Sequence, residues 1–468
     1  MCCGSSHGAR TAPPPAPALQ STHSTAVVAH AAATHFLGWL GMMRSAAEPP
    51  IPEGASWQSL LDVFNEESCH LGTFATRSVL GITAAAGIPC VDNEPALLYW
   101  KLGFGGEEPM PLGLGATLAD RIRRADDVAG KRLGTIALVG ANGCGKTRSG
   151  LELLQRHYGL LLVCDVRDHA GSDDFASVLS HVAGGSFIKG GDCIVKHGAR
   201  LCILGRLLML YWALIHRDTV SPANLLYMQL FGCQLPGLVR RLATLPEQQV
   251  VEWVGSVAEA CQALEPRFPI VLDEAQRLTK IAPMVTDCDR HPDRTEIVSA
   301  FEVVMRVVAR LCRRDGGPVA VVSGASFALC HADTAAVFGG AEPTLRHAVV
   351  TSFQWLTPPD VRRLLGHLFS GLPDSVVTRA SELFQGRPQF VMALARVTLQ
   401  ALAHGDGDEI DGAGTGTAAG APLDSSTEAG SRQRPQRGGC PATAASRNGC
   451  GMHRDLVPVS GEDCRAWA

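Results

Sequence analysis

The eight residues Gly140-Ala141-Asn142-Gly143-Cys144-Gly145-Lys146-Thr147 constrain this chain more than anything else in its 468. They fit Gly-x4-Gly-Lys-Thr, and their flanks supply the matching context. The apolar run Thr135–Val139 leads into the turn, and a helical stretch over Thr147–His157 leaves it. Glycines let successive backbone N–H groups face one point, which side chains would block, and the start of the helix adds partial positive charge there. The ligand such a loop takes is a phosphate. Lys146 is placed to reach the β- and γ-phosphates of a nucleotide, and the Thr147 hydroxyl to ligate Mg²⁺.

A second signal lies further along, in Phe268-Pro-Ile-Val-Leu-Asp273-Glu274-Ala-Gln276. An apolar strand ending in adjacent carboxylates suits a nucleotide hydrolase. Asp273 would complete the Mg²⁺ shell beside Thr147, and Glu274 would polarise the attacking water. The two motifs together predict an ATP and Mg²⁺ site. ATP is preferred over GTP because the chain carries no Asn-Lys-x-Asp guanine-reading motif. Two weaker candidates follow. Ser323, at the end of the strand Val319–Ser323, sits where a polar sensor would stand between the carboxylates and the γ-phosphate. Arg387, in Gly386-Arg-Pro-Gln-Phe390, could return a cation to the phosphates. Arg306, Arg310, Arg313 and Arg314 share a helical face, read here as solvated. Gly171-Ser-Asp-Asp174 is a turn that would approach the nucleotide or a partner.

Apolar runs at Thr135–Val139, Leu160–Cys164, Pro269–Leu272, Val319–Ser323 and Ala348–Phe353 alternate with helical stretches. Those stretches are Thr147–His157, Arg200–His216, Glu247–Ala263, Thr295–Arg314 and Pro359–Ser370. Strand and helix alternating in this way predict an α/β fold with a parallel sheet covered on both faces. Because a strand intervenes between the two motifs and a Glu follows the Asp, the sheet is expected to be the additional-strand, catalytic-glutamate type of phosphate-loop NTPase. The organisation reads as a disordered leader over 1–50 and an N-terminal region of unassigned role over 51–130. An ATPase core over 131–355, a small helical subdomain over 356–404 and a disordered low-complexity tail over 405–468 follow. The leader has no acidic residue before Glu48 and resembles a weak transit or signal peptide, or an over-extended start before Met42 and Met43.

Composition narrows the partners. The 41 Lys and Arg against 45 Asp and Glu give a net charge of −4, which argues against a chain-wide nucleic-acid coat. Sixteen cysteines occur without one Cys-x-x-Cys pair. Cys288 with His291, or Cys440, Cys450, His453 and Cys464, lack the paired knuckles of a zinc site, so buried reduced thiols in an intracellular compartment are expected. The longest apolar stretch, Leu201–Ile215, is broken by Arg206 and falls short of the roughly 20 residues that cross a bilayer. It reads as a buried helix.

The run GCGKTRSGLELLQRHYGLLLV, the GSDD turn, VLDEAQ, VVSGASFAL and the late GRPQF resemble the ATPase domain of Crinkler-type proteins. These are oomycete and fungal effectors related to signal-transduction ATPases with numerous domains. The resemblance covers about residues 130–400. It implies an ATPase acting as a switch or motor for attached modules, adds Arg148 to the nucleotide-binding positions, and makes Gly386 and Pro388 the start of the small helical domain. The family's ubiquitin-like header has no counterpart in residues 1–130, and the low-complexity tail stands in place of its nuclease or kinase domains. Three activities share these motifs: ATP hydrolysis, a nucleotide-dependent interaction switch with little turnover, and, less favoured, a helicase. A helicase needs a second motor domain, and only about 75 residues separate Ser323 from the tail. A homo-oligomer or protein partner is compatible with all of these.

Overall fold

Apolar runs too uniform for a half-exposed strand form the centre of a parallel sheet. The computed structural model describes residues 50–64, 90–91, 94–95, 98–99, 102, 110–124, 132–165, 173–183, 191–231, 234–281, 284–288, 291–324, 345–353, 355–369, 372–384 and 386–405. The leader before residue 50, Gly171 and Ser172, the tail after residue 405 and its Cys440–Cys464 set lie outside them, as does much of 51–130.

The strands are β1 (Cys90–Val91), β2 (Glu94–Pro95), β3 (Arg132–Val139), β4 (Leu160–Val163), β5 (Pro269–Asp273), β6 (Met284–Cys288), β7 (His291–Val298), β8 (Val319–Gly324) and β9 (Leu345–Val350). The helices are α1 (Gly115–Arg124), α2 (Lys146–Arg156), α3 (Asp173–Ala183), α4 (Gly191–Ile215), α5 (Pro222–Phe231), α6 (Gln234–Leu242), α7 (Glu247–Leu264), α8 (Ala300–Cys312), α9 (Pro358–Leu368), α10 (Asp374–Leu383) and α11 (Pro388–Gly405). Five strands form one parallel sheet in the order β4-β5-β8-β3-β9, while β1-β2 and β6-β7 are antiparallel pairs. The chain is thus α/β with a parallel sheet, as the alternation of runs predicts.

Both faces of the sheet's central strands are buried. In β3, Ala137 and Val139 join one apolar cluster and Ile136 and Leu138 the other. Ile270 and Leu272 of β5 lie opposite Val271, and Ala320 and Val322 of β8 opposite Val319 and Val321, in the same alternation. The first face is covered by residues of α3, α4, α6, α7 and α8, with Leu60 from a 3-10 turn at Trp57–Val63 and Phe64 directly after it. The second is covered by α1, α2 and α5. A third cluster binds α9, α10 and α11 together around Val361, Leu365, Leu368 and Val391.

Two elements differ from the sequence reading. Residues 295–298 of the expected helix Thr295–Arg314 belong to β7, and the helix starts at Ala300. Ser299 is the reason. Its side chain accepts from Glu302 N while the Glu302 carboxylate takes the Ser299 N–H, a capping box that fixes the first turn. The apolar helix expected to be too short for a bilayer runs for 25 residues as α4. Among the described residues its span Ile194–Ile215 is the one helix long and apolar enough to cross a membrane, and it is almost wholly buried inside the protein.

Arg206, the charge in the middle of α4, is completely buried. Its guanidinium grips both carboxylate oxygens of Asp174 in α3, donates to Leu161 O of β4 at 2.6 Å, and reaches Cys202 O at 3.2 Å. Arg206 therefore anchors α3 and α4 to the sheet edge, with Asp174 as its counter-charge. Removing one partner strands a charge in the core, whereas removing both does not. Asp174→Ala is expected to lower unfolding stability by about 3–5 kcal/mol, and the double variant Arg206→Met with Asp174→Leu to recover most of it, read by urea denaturation.

Candidate functional site

The parallel register brings the ends of three neighbouring strands to one place. With β8 between β3 and β5, the loop after β3, the end of β5 and the end of β8 share one edge of the sheet. Asp273 ends β5, is 4% exposed, and accepts two side-chain hydrogen bonds on Oδ1. One comes from Thr147 Oγ1 at 3.1 Å and the other from Ser323 Oγ. Three residues singled out from separate parts of the sequence thus meet at one oxygen. Burial pushes the Asp273 carboxyl above its ordinary range, opposed by the hydrogen bonds from Ser323 and Thr147.

The loop Gly140–Thr147 winds over the N-terminus of α2. Gly143 and Gly145 adopt φ of 76° and 98°, a region closed to most side chains, and a Cβ on Gly143 would lie 2.0 Å from Gln389 Oε1. Among the described residues no acceptor meets the backbone N–H of Gly143, Gly145, Lys146 or Thr147. Lys146 is buried, and its Nζ donates to Gly140 O and Ala141 O, both at 2.9 Å, with Cys144 Sγ at 3.9 Å. Uncommitted N–H groups, a helix start and an ammonium are thus gathered in one loop, the donors that an anion would need.

Beside the loop lies a cavity of about 700 Å³. Asn142, Gly143, Gly145, Lys146, Thr147, Asp273 and Glu274 line its polar part, and Leu98, Tyr99, Leu112, Pro388 and Met392 supply apolar surface. Glu274 is partly exposed and adopts φ of 54° at the start of a 3-10 turn, Ala275–Lys280. Its Oε2 accepts from Gln276 Nε2 and lies 3.7 Å from Arg277 Nε, while Arg277 Nη2 is 3.3 Å from Asp165 Oδ2. Gln276, Arg277 and Asp165 line the cavity too; Gln276 closes the Asp-Glu-Ala-Gln motif, whereas no pattern in the sequence singles out Arg277 or Asp165.

Arg148, Arg387 and Arg314 make contacts that the sequence does not show. Arg148 lines the cavity, but its nitrogens donate to Leu98 O, Met110 O and Glu152 Oε1 at 2.8, 2.9 and 2.9 Å. Glu152 in turn accepts the N–H groups of Leu112 and Gly113, so this buried pair fastens the segment before α1 onto α2. The Arg387 guanidinium lies over the rings of Trp355 and Phe390, at 5.8 and 5.9 Å, rather than at the loop. Its neighbour Gln389 makes the contact instead, donating its N–H to Gly143 O at 3.3 Å. Arg314 stays on the expected solvated face, with Nη1 bonded to the exposed Glu259 and to Gly255 O.

Among the described residues no three His, Cys, Asp or Glu side chains are grouped as metal ligands. Cys144, Cys164, Cys202, Cys261 and Cys312 are unpaired and buried. Burial raises the Cys312 thiol to about 12 and moves Cys164 and Cys202 well up, so these are poor nucleophiles. No protein-family model matches the chain, and no curated protein matches it.

Ser323→Ala removes a donor to a buried carboxylate. The loss raises the carboxyl further, so the native state holds its proton to higher pH than the unfolded chain does, and the cost is charged above the unfolded value of about 3.9. Urea midpoints are expected to show a loss of about 1.5–3 kcal/mol at neutral pH. That loss should shrink as pH falls towards about 4.

Proposed function

We propose that this chain binds ATP with Mg²⁺ and hydrolyses it, as a phosphate-loop ATPase of the additional-strand, catalytic-glutamate type. One observation carries the reading: the Thr147 hydroxyl and the Asp273 carboxylate, 126 positions apart, are hydrogen-bonded at 3.1 Å beside a loop in which the N–H groups of Gly143, Gly145, Lys146 and Thr147 are uncommitted. The strand order supports it, because a polar-ended strand, β8 with Ser323, separates the loop strand from the carboxylate strand. The resemblance to Crinkler-type and signal-transduction ATPases belongs to the same proposal.

The residues fit Mg²⁺. A hydroxyl and a carboxylate are hard oxygen donors, and a cation would offset the desolvation that raises Asp273. When bound, the ion neutralises phosphate charge. The N–H groups of Gly143, Gly145, Lys146 and Thr147 bind the β-phosphate, and Lys146 exchanges the carbonyls of Gly140 and Ala141 for phosphate oxygens. Glu274 orients a water in line with the γ-phosphorus and takes its proton as the bond to the bridging oxygen breaks, releasing ADP and phosphate. The base rests against the apolar surface of Leu98, Tyr99, Leu112, Pro388 and Met392.

A second reading, a nucleotide-dependent interaction switch with little turnover, is favoured by Arg387. Its charge rests on Trp355 and Phe390, so in this arrangement Arg387 adds no cation to the γ-phosphate, and turnover would be slow unless another group, of this chain or of a partner, supplies one.

Mg²⁺-dependent phosphate release by the full chain separates the two. Glu274→Gln is expected to lose about 10²–10⁴-fold in kcat while still binding ATP, and Lys146→Ala to lose ATP binding. Tight ATP binding without release by the wild type overturns the hydrolase and leaves the switch.

A further inference from the structure

Gln276 is the one side chain that hydrogen-bonds the Glu274 carboxylate among the described residues. The 3-10 turn after β5 folds positions 274, 276 and 277 back on one another. The consequence is asymmetric. Gln276 Nε2 donates to Oε2, and Arg277 Nε stands 3.7 Å from that same oxygen, its own position set by Asp165. Among the described residues nothing donates to Glu274 Oε1. One carboxylate oxygen is therefore held and the other is left open.

Gln276 makes this contact at a cost to the fold. The residue is 6% exposed, and its own Oε1 is buried without a hydrogen-bond partner. Leaving a buried amide oxygen unpaired destabilises a protein. A methionine of similar length would fill the space without that loss, so packing does not account for the amide.

We propose that Gln276 is a positioning residue for Glu274: by holding Oε2 it fixes the carboxylate so that Oε1 is the oxygen presented to the attacking water. The assignment rests on the hydrolase reading of the site. Gln276 acts through Glu274 and not on the nucleotide, so its removal affects the chemical step and spares binding. A carboxylate free to rotate spends less of its time in line with the water, and loss of such alignment lowers kcat.

The test uses the full chain as wild type, Gln276→Met and Gln276→Glu, with kcat, KM for ATP, affinity for a non-hydrolysable ATP analogue and the thermal midpoint measured on the same preparations. Gln276→Met is expected to lower kcat by about 10-fold or more, with KM and analogue affinity within about two-fold of wild type. Its melting temperature should be equal or higher, because the unpaired oxygen is gone. Gln276→Glu, which sets a second carboxylate against Glu274, is expected to lower kcat at least as far. A kcat for Gln276→Met within about two-fold of wild type overturns the positioning role and leaves the hydrolase standing. A fall in kcat accompanied by equal losses of analogue affinity and melting temperature also overturns it, since that marks a structural role. A wild type that binds the analogue and turns nothing over removes the hydrolase reading and this assignment together.

Discussion

A buried carboxylate that must be kept comfortable shapes this end of the sheet. Asp273 sits where desolvation works against its charge, and two hydroxyls, Thr147 and Ser323, relieve it. Each hydroxyl arrives on a different element, and the elements arrive together because β8 lies between β3 and β5 in parallel register. Move any strand by one residue and its side chains exchange faces. The alternating apolar pairs in β3, β5 and β8, packed into clusters on opposite faces, therefore fix the site as firmly as the site's own hydrogen bonds do.

Two further buried ion pairs hold the surroundings. On one face Arg206 binds Asp174 and the carbonyl of Leu161, joining α3 and α4 to β4, whose neighbour is β5. On the other, Arg148 and Glu152 of α2 collect carbonyls and N–H groups from Leu98, Met110, Leu112 and Gly113. That second pair brings the segment before α1 against the cavity, whose apolar surface it helps to form. Charged groups of this kind fix where an element sits more than they add to stability, since desolvation offsets much of their attraction.

The sheet was legible in the sequence because its signals are local. Five apolar runs bounded by turn residues become the five parallel strands, and the carboxylates at the end of Pro269–Asp273 stand beside the glycine-rich loop because parallel strands end on the same side. What the sequence hid depends on contacts between distant positions. Arg206 looks like an interruption of an apolar run, and only the fold supplies its partner 32 residues away. Arg387 has a charge suited to phosphate, yet Trp355, an unremarked position, takes it. Gln276 stood within a quoted motif, but its donor acquires meaning only from the left-handed backbone at Glu274 and the turn that follows. The strand Thr295–Val298 was lost in a helical pattern because periodicity continues across Ser299, while the capping box cuts it there.

The cavity joins two parts of the chain that carry separate apolar cores. Its polar residues belong to the sheet edge, and Pro388, Gln389 and Met392 belong to the first turns of α11. The loop touches that helix directly, through Gly143 O and Gln389 N, and Gly143 leaves no room for a side chain between them. A phosphate that draws the Gly143 peptide towards itself changes the acceptor offered to Gln389. Under the proposed function, nucleotide occupancy then alters the same hydrogen bond that fastens α11 to the loop. Since α11 shares its apolar cluster with α9 and α10, what moves it moves a packed three-helix unit and not one side chain. Glycine at 143 serves both ends of this contact: its positive φ turns the loop, and its missing Cβ admits the helix.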